Sequence, residues 1–204
     1  MTLKQYLDLQ KDIEDYKDNE EALTATLLYH LCGLDPMILP QLDMSILQGI
    51  KEDLNGFLDN TDYPLQKFIQ IDGIEYGFEP DLSNISYGAY LDITKFDELT
   101  IDTNWPYIMN ILYRPIVKKT GALYAIEPYK GNADKDKDKW LDIDMEFHFG
   151  VFFYFLTLLM DLYQGILNSM KKQPNLPQDF KLILEESGKV TEQLKHSLMG
   201  TSLK

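Results

Sequence analysis

A chain of 204 residues, 45% apolar and 25% charged, is long enough to bury a core and too apolar for a disordered acidic segment. Its formal net charge is −14, with 21 acidic and 6 basic side chains in residues 1–103, which repels phosphate backbones and argues against nucleic acid as a partner. The single cysteine, Cys32, excludes an intrachain disulfide framework and argues against a cysteine metal site; the N-terminus lacks a basic start and apolar run, so an intracellular setting is expected.

Thr2 is placed to cap a first helix carrying Leu3, Tyr6, Leu7 and Ile13 on one face. After a break at residues 16–19, Asp18 with Glu21 reads as a capping box for a second helix. Its stripe is Leu23, Leu27, Leu28 and Leu31, and Gly33 is placed for a left-handed ending. Asp35-Pro36 opens a short helical turn that Pro40 ends, and Asp43 is expected to cap a helix through Leu58 with Ile46, Ile50, Leu54 and Phe57 inward.

From Phe68 the period changes to two. Ile69 and Ile71, then Ile74, Tyr76 and Phe78, flank Asp72-Gly73, a pair suited to the positive φ angles of a type I′ hairpin turn. Ser86 then caps a helix with Tyr87, Tyr90, Leu91 and Phe96. Asp102 or Thr103 caps another with Ile108, Ile111 and Leu112, expected to stop at Tyr113 or Arg114 before Pro115. A second hairpin is expected to turn at Thr120-Gly121, between Ile116-Val117 and residues 123–126.

Residues 2–30 align without gaps to residues 86–114, with eight identities in 29 positions, including Tyr6-Leu7-Asp8 with Tyr90-Leu91-Asp92 and Leu28-Tyr29 with Leu112-Tyr113. Chance would give about two at average residue usage. Duplication of a helix–turn–helix is the expectation, with coincidence between two amphipathic helix pairs as the rival, and the repeated Tyr and Leu positions read as core contacts.

The longest helix is expected from Asp144 to Lys172. Its middle, Phe149 to Met160, is apolar on every side, which predicts a buried strut including Phe153 and Leu156. Glu146, His148 and Asp161 flank or interrupt the apolar run, so a membrane span is not the expected reading. A last amphipathic helix is expected from Gln178 with Leu182, Leu184, Val190, Leu194 and Leu198. The chain is therefore expected to be mainly α with one or two small β-hairpins, an α+β protein with two repeated helical hairpins around a long buried helix. Its expected divisions are a helical region 1–66, a central region 67–172 and a C-terminal helix 173–204.

No complete catalytic motif is present. Asp134, Asp136 and Asp138 fit the first ligands of a calcium loop, but its sixth and twelfth positions fall on Lys139 and Met145. Asp144 and His148, with Glu146 nearby, share a helix face; a helix-start His–Asp pair is the plainer reading beside a metal site. Arg114 is the only arginine, and its planar fork suits either an internal carboxylate clamp or a contact with a partner. No cofactor is expected. A catalytic site dispersed along the chain remains the alternative to a binding role.

Three segments in order, Tyr87-Gly88-Ala89-Tyr90-Leu91-Asp92-Ile93, then Ile111-Leu112-Tyr113-Arg114-Pro115-Ile116, then Ile126-Glu127-Pro128-Tyr129-Lys130-Gly131, precede the aromatic run 147–155. Over residues 68–165 this resembles a family of small tailed-bacteriophage proteins of tail-assembly-chaperone or minor-virion type. The resemblance implies a non-enzymatic role in building a phage particle, in the cytoplasm of the infected host or in the virion. Its partners would be other phage structural proteins, and the negative N-terminal half suggests basic surfaces on them.

Overall fold

In the computed structural model, the described residues are 1–46, 48–50, 52, 63–96 and 100–171. The protein is α+β, with a four-stranded antiparallel sheet. The strands are β1 (Phe68–Ile71), β2 (Ile74–Phe78), β3 (Tyr113–Thr120) and β4 (Leu123–Ile126), in the order β1-β2-β3-β4. Asp72 and Gly73 both have positive φ, 51° and 78°, so the first hairpin turns as its sequence predicts. The second pairs Thr120 with Leu123, which puts the turn at Gly121 and Ala122, one residue later than expected. Gly77 lies where β2 meets β3. A Cβ there would stand 2.9 Å from the Tyr124 ring and about 3 Å from Ile126 and Ile116, so only glycine lets those side chains close over the strand.

Helix α1 (Leu3–Tyr16) is capped by Thr2, with Gln5 reaching back to the Thr2 amide. Helix α2 (Glu20–Cys32) is capped by Asn19, not by Asp18, because the Asn19 carbonyl oxygen accepts from the Ala22 amide. Gly33 ends α2 in the left-handed conformation. His30 Nε2 lies 2.7 Å from Asp12 Oδ2 and ties α2 to α1, a pairing that periodicity did not reveal.

Helix α3 (Tyr87–Ile93) begins at Ser86, whose hydroxyl accepts from the Ala89 amide. Its buried contact is Ala89, packed with Ile111 and Ala133, while Tyr87, Tyr90 and Leu91 are exposed. The expected inward face is thus wrong: a small side chain lets the backbone approach closely and turns the large ones outward. Helix α4 (Trp105–Leu112) has Asn104 at its cap position, with the Asp102 carboxylate accepting the Asn104 amide at 2.7 Å. It stops before Tyr113, because Tyr113 pairs with Phe78 in the β2–β3 ladder and the Glu79 amide donates to the Leu112 carbonyl. The strand captures the chain before Pro115 can end the helix. The two matched segments therefore differ: helices of 14 and 13 residues in one, 7 and 8 in the other, which ends in a strand.

The core is aromatic. Tyr113 packs against Phe78, Trp140 and Phe147 at ring-centroid distances of 5.2, 5.5 and 5.1 Å, and Tyr76 meets Trp140 at 5.9 Å. Trp140 comes from a 3₁₀ turn (Lys137–Asp142), and Phe147 from helix α5 (Met145–Lys171). The N-terminus is stapled to the same place. Leu3 donates to the Ile143 carbonyl, and Met145 donates to that of Met1.

Contacts gather the chain into two compact units, 1–39 with 65–152, and 40–64 with 153–204. In the second, residues 44–46 and 48–50 are helical, and Tyr63 stacks on Phe153 at 6.0 Å. Leu54, Phe57 and the predicted C-terminal helix lie outside the described residues. Helix α5 forms almost as predicted, but it is not a buried strut along its length. Met145, Phe147, His148 and Val151 are buried; Phe153 and Leu156 are half-buried; Leu158, Leu159, Leu162 and Ile166 are exposed. Apolar residues all round a helix predict burial only if neighbours cover every side, and no periodicity reports where the neighbours end. Phe147→Ala should cost about 3–5 kcal/mol, and Leu159→Ala less than about 0.5 kcal/mol. Urea unfolding measures both; equal losses would refute this division of the helix.

Candidate functional site

Three side chains organise the region below α4. Asn110, on the last turn of α4, donates through Nδ2 to the carbonyls of Ala133 (2.9 Å) and Lys135 (2.7 Å). Its Oδ1 accepts from Lys139 Nζ at 2.6 Å and from the Trp140 indole at 3.3 Å. One amide thus uses both donors and both acceptor positions to hold residues 133–140 against α4.

His148 is fully buried. The Trp105 indole N–H donates to its Nδ1 at 3.1 Å, which fixes the proton on Nε2, and Nε2 donates to the Trp140 carbonyl at 3.1 Å. Both ring nitrogens are engaged, so the imidazole is a structural bridge and is unavailable as a metal ligand. Asp144 is exposed and makes no hydrogen bond to it; its charge acts on the ring through space. Burial pushes the His148 pKa down to about 4. Protonation would also set two N–H donors against each other at Trp105.

Arg114, on β3, pairs with Glu79, the residue after β2. Both side chains are only 11% exposed. The clamp joins the α4–β3 junction to the end of β2, where the Glu79 amide already holds the Leu112 carbonyl. Burial lowers the Arg114 pKa, and the Glu79 carboxylate opposes that shift. The guanidinium Nε is buried without a protein acceptor.

Arg114 also lines a cleft of about 150 Å³. Its walls are Tyr76, Asn110 and Tyr113 on one side, and the segment from Glu127 to Lys139 on the other. Tyr129 spans from this segment to α3, donating its hydroxyl to Asp92. Burial and then that carboxylate raise its pKa, so it stays protonated. Lys139 lies over the Tyr76 ring at 4.7 Å, and burial lowers its pKa against the opposing field of Asp136. Sequence reasoning singled out Arg114 but missed Asn110, Lys139 and Tyr129. In the repeated Asp-Lys run it is the carboxylates that match a ligand spacing, whereas the structure turns the Lys139 stem inward. Asp134 takes Lys137 at 2.7 Å, and among the described residues no group of three His, Cys, Asp or Glu side chains is placed to hold a metal.

Comparison with family models, with curated proteins and with solved structures finds no match for this chain.

Removing one partner of the clamp should leave a buried charge. Arg114→Met is expected to cost about 3–5 kcal/mol, and the double variant Arg114→Met/Glu79→Met to return to within about 1 kcal/mol of the parent. Urea unfolding of the three proteins checks this; a single variant as stable as the parent would contradict it.

His148 makes stability pH-dependent with a defined sign. Its folded pKa, about 4, lies below its ordinary 6.5, so the unfolded chain takes up the proton first as pH falls. The contribution is present above pH 6.5 and is lost toward pH 4, amounting to about 3 kcal/mol. The stability difference between parent and His148→Gln should therefore shrink by about that amount from pH 7 to pH 4. A difference constant across this range would show that His148 does not carry it.

Proposed function

We propose that this protein is a non-enzymatic assembly or structural protein of a tailed bacteriophage, acting by binding another phage structural protein. The observation that carries a binding role is the outer part of α5. Leu158, Leu159, Leu162 and Ile166 are 44–60% exposed and fall within one arc of the helix. Such a stripe suits an apolar groove on a partner. The phage setting is supported by the segment resemblance over residues 68–165. The formal excess of acid in residues 1–103 favours a partner with a basic surface.

Residues 145–166 of α5 have a mean hydropathy of 1.4 and are long and apolar enough to cross a membrane. A protein groove is the better reading. Met145, Phe147, His148 and Val151 belong to the core, and His148 is bonded at both nitrogens. The stretch from residue 153 to 166 spans about 21 Å, against about 30 Å of hydrocarbon in a bilayer.

The offset of 84 residues also supports duplication of a helix–turn–helix unit. Thr2 and Ser86 occupy equivalent positions, and each hydroxyl caps its helix. Leu28 and Leu112, also equivalent, are both buried. The difference in helix length then reflects divergence after β3 took over the end of the second copy.

The test is affinity capture from phage-producing cells at two salt concentrations, beside proteomics of purified particles. Capture of a phage structural protein is expected, weaker at high salt. Leu162→Asp should abolish it while changing stability by less than about 0.5 kcal/mol. Recovery of no phage structural protein, with absence from particles, would overturn the reading.

A further inference from the structure

We propose that the cleft beneath α4 binds a small free oxyanion, a phosphate or a carboxylate, independently of the exposed face of α5. The cleft gathers positive charge in a chain whose formal net charge is −14. Four cations line it, Arg114, Lys130, Lys135 and Lys139, against two acids, Glu127 and Asp136. Lys130 pairs with Glu127 at 3.3 Å and Arg114 with Glu79, so Lys135 and Lys139 are the lining cations without an ion pair among the described residues.

Lys139 is the centre of the site. Its ammonium is half-buried, held by Asn110 Oδ1 and by the Tyr76 ring, and makes no ion pair among the described residues. A partly desolvated ammonium with one neutral acceptor has two further N–H donors to give. An anion in the cleft would supply the missing charge, and low local polarity would strengthen the contact. Arg114 adds a second cation in the wall. Its carboxylate partner contacts the guanidinium through Nη2 alone. Asn110 fixes Lys139 from α4 while gripping the carbonyls of Ala133 and Lys135, so the geometry exists before a ligand arrives.

Size narrows the ligand class. The cleft is small, about 150 Å³, below the 300–1,000 Å³ of pockets for drug-sized ligands. Inorganic phosphate or a short dicarboxylate fits within that volume. A metal cation is disfavoured by Lys135 and Lys139, which make no ion pair among the described residues.

The experiment is a nuclear magnetic resonance titration of the full chain with sodium phosphate and, separately, sodium succinate, each against sodium chloride at equal ionic strength. Saturable shifts are expected at Asn110, Arg114, Tyr129, Lys135 and Lys139 with at least one oxyanion and not with chloride. Lys139→Met should weaken binding about tenfold, the loss of one charge-assisted contact. Because Lys139 also braces Asn110, Lys135→Met supplies the second variant: its side chain is exposed, and about a threefold loss is expected. Lys118→Met, outside the cleft, should bind as the parent does. Absence of saturable shifts with both oxyanions, equal shifts with chloride, or binding unchanged in both cleft variants would overturn the proposal.

Discussion

A neutral imidazole between two buried tryptophans is the contact on which the first unit depends. Trp105 begins α4, Trp140 lies in the 3₁₀ turn after β4, and His148 lies in the first turn of α5. Trp105 stands 43 residues before His148, and Trp140 eight residues before it. A buried polar ring is stable only if both nitrogens find partners, so the bridge demands one relative placement of the three. With that placement made, Phe147 and Tyr113 close the aromatic core against β2 and β3.

Asn110 extends the same network. It receives the Trp140 indole and grips residues 133–140, so a run of alternating aspartate and lysine that would otherwise favour solvent becomes one wall of a cleft. The alternating charges then divide by environment. Asp134 and Lys137 pair near the surface, whereas the stem of Lys139 lies along the rings of Tyr76 and Trp140. The Arg114–Glu79 clamp secures the opposite wall. It stands where a helix becomes a strand without a connecting loop, a junction whose backbone is held by only a few bonds.

Helix α5 connects core chemistry with surface chemistry. Its first turns carry His148 and Phe147 into the aromatic core, and its outer turns expose leucines that would be wasteful on an isolated helix. The same composition therefore has two meanings along one helix. The boundary is set by where packed neighbours end, not by any change in the residues themselves.

Local chemistry was legible in the residues. Thr2, Ser86 and Gly33 announce helix ends because capping needs only a few adjacent atoms. Asp72-Gly73 announces its turn because positive φ is a property of single residues, and the run from Asp144 announces a helix by its length, too long for a strand. Arg114 was legible as a candidate clamp because a lone arginine in an acidic chain needs a carboxylate, though which one was not. Only tertiary structure decided that Glu79 is that partner, that Ala89 and not Tyr90 faces inward, and that Tyr113 starts a strand. It also decided that His148 is a bridge. Each of these depends on at least one group more than twenty residues distant, and the free energy of burying a ring or a charge is set by such groups as well as by sequence neighbours.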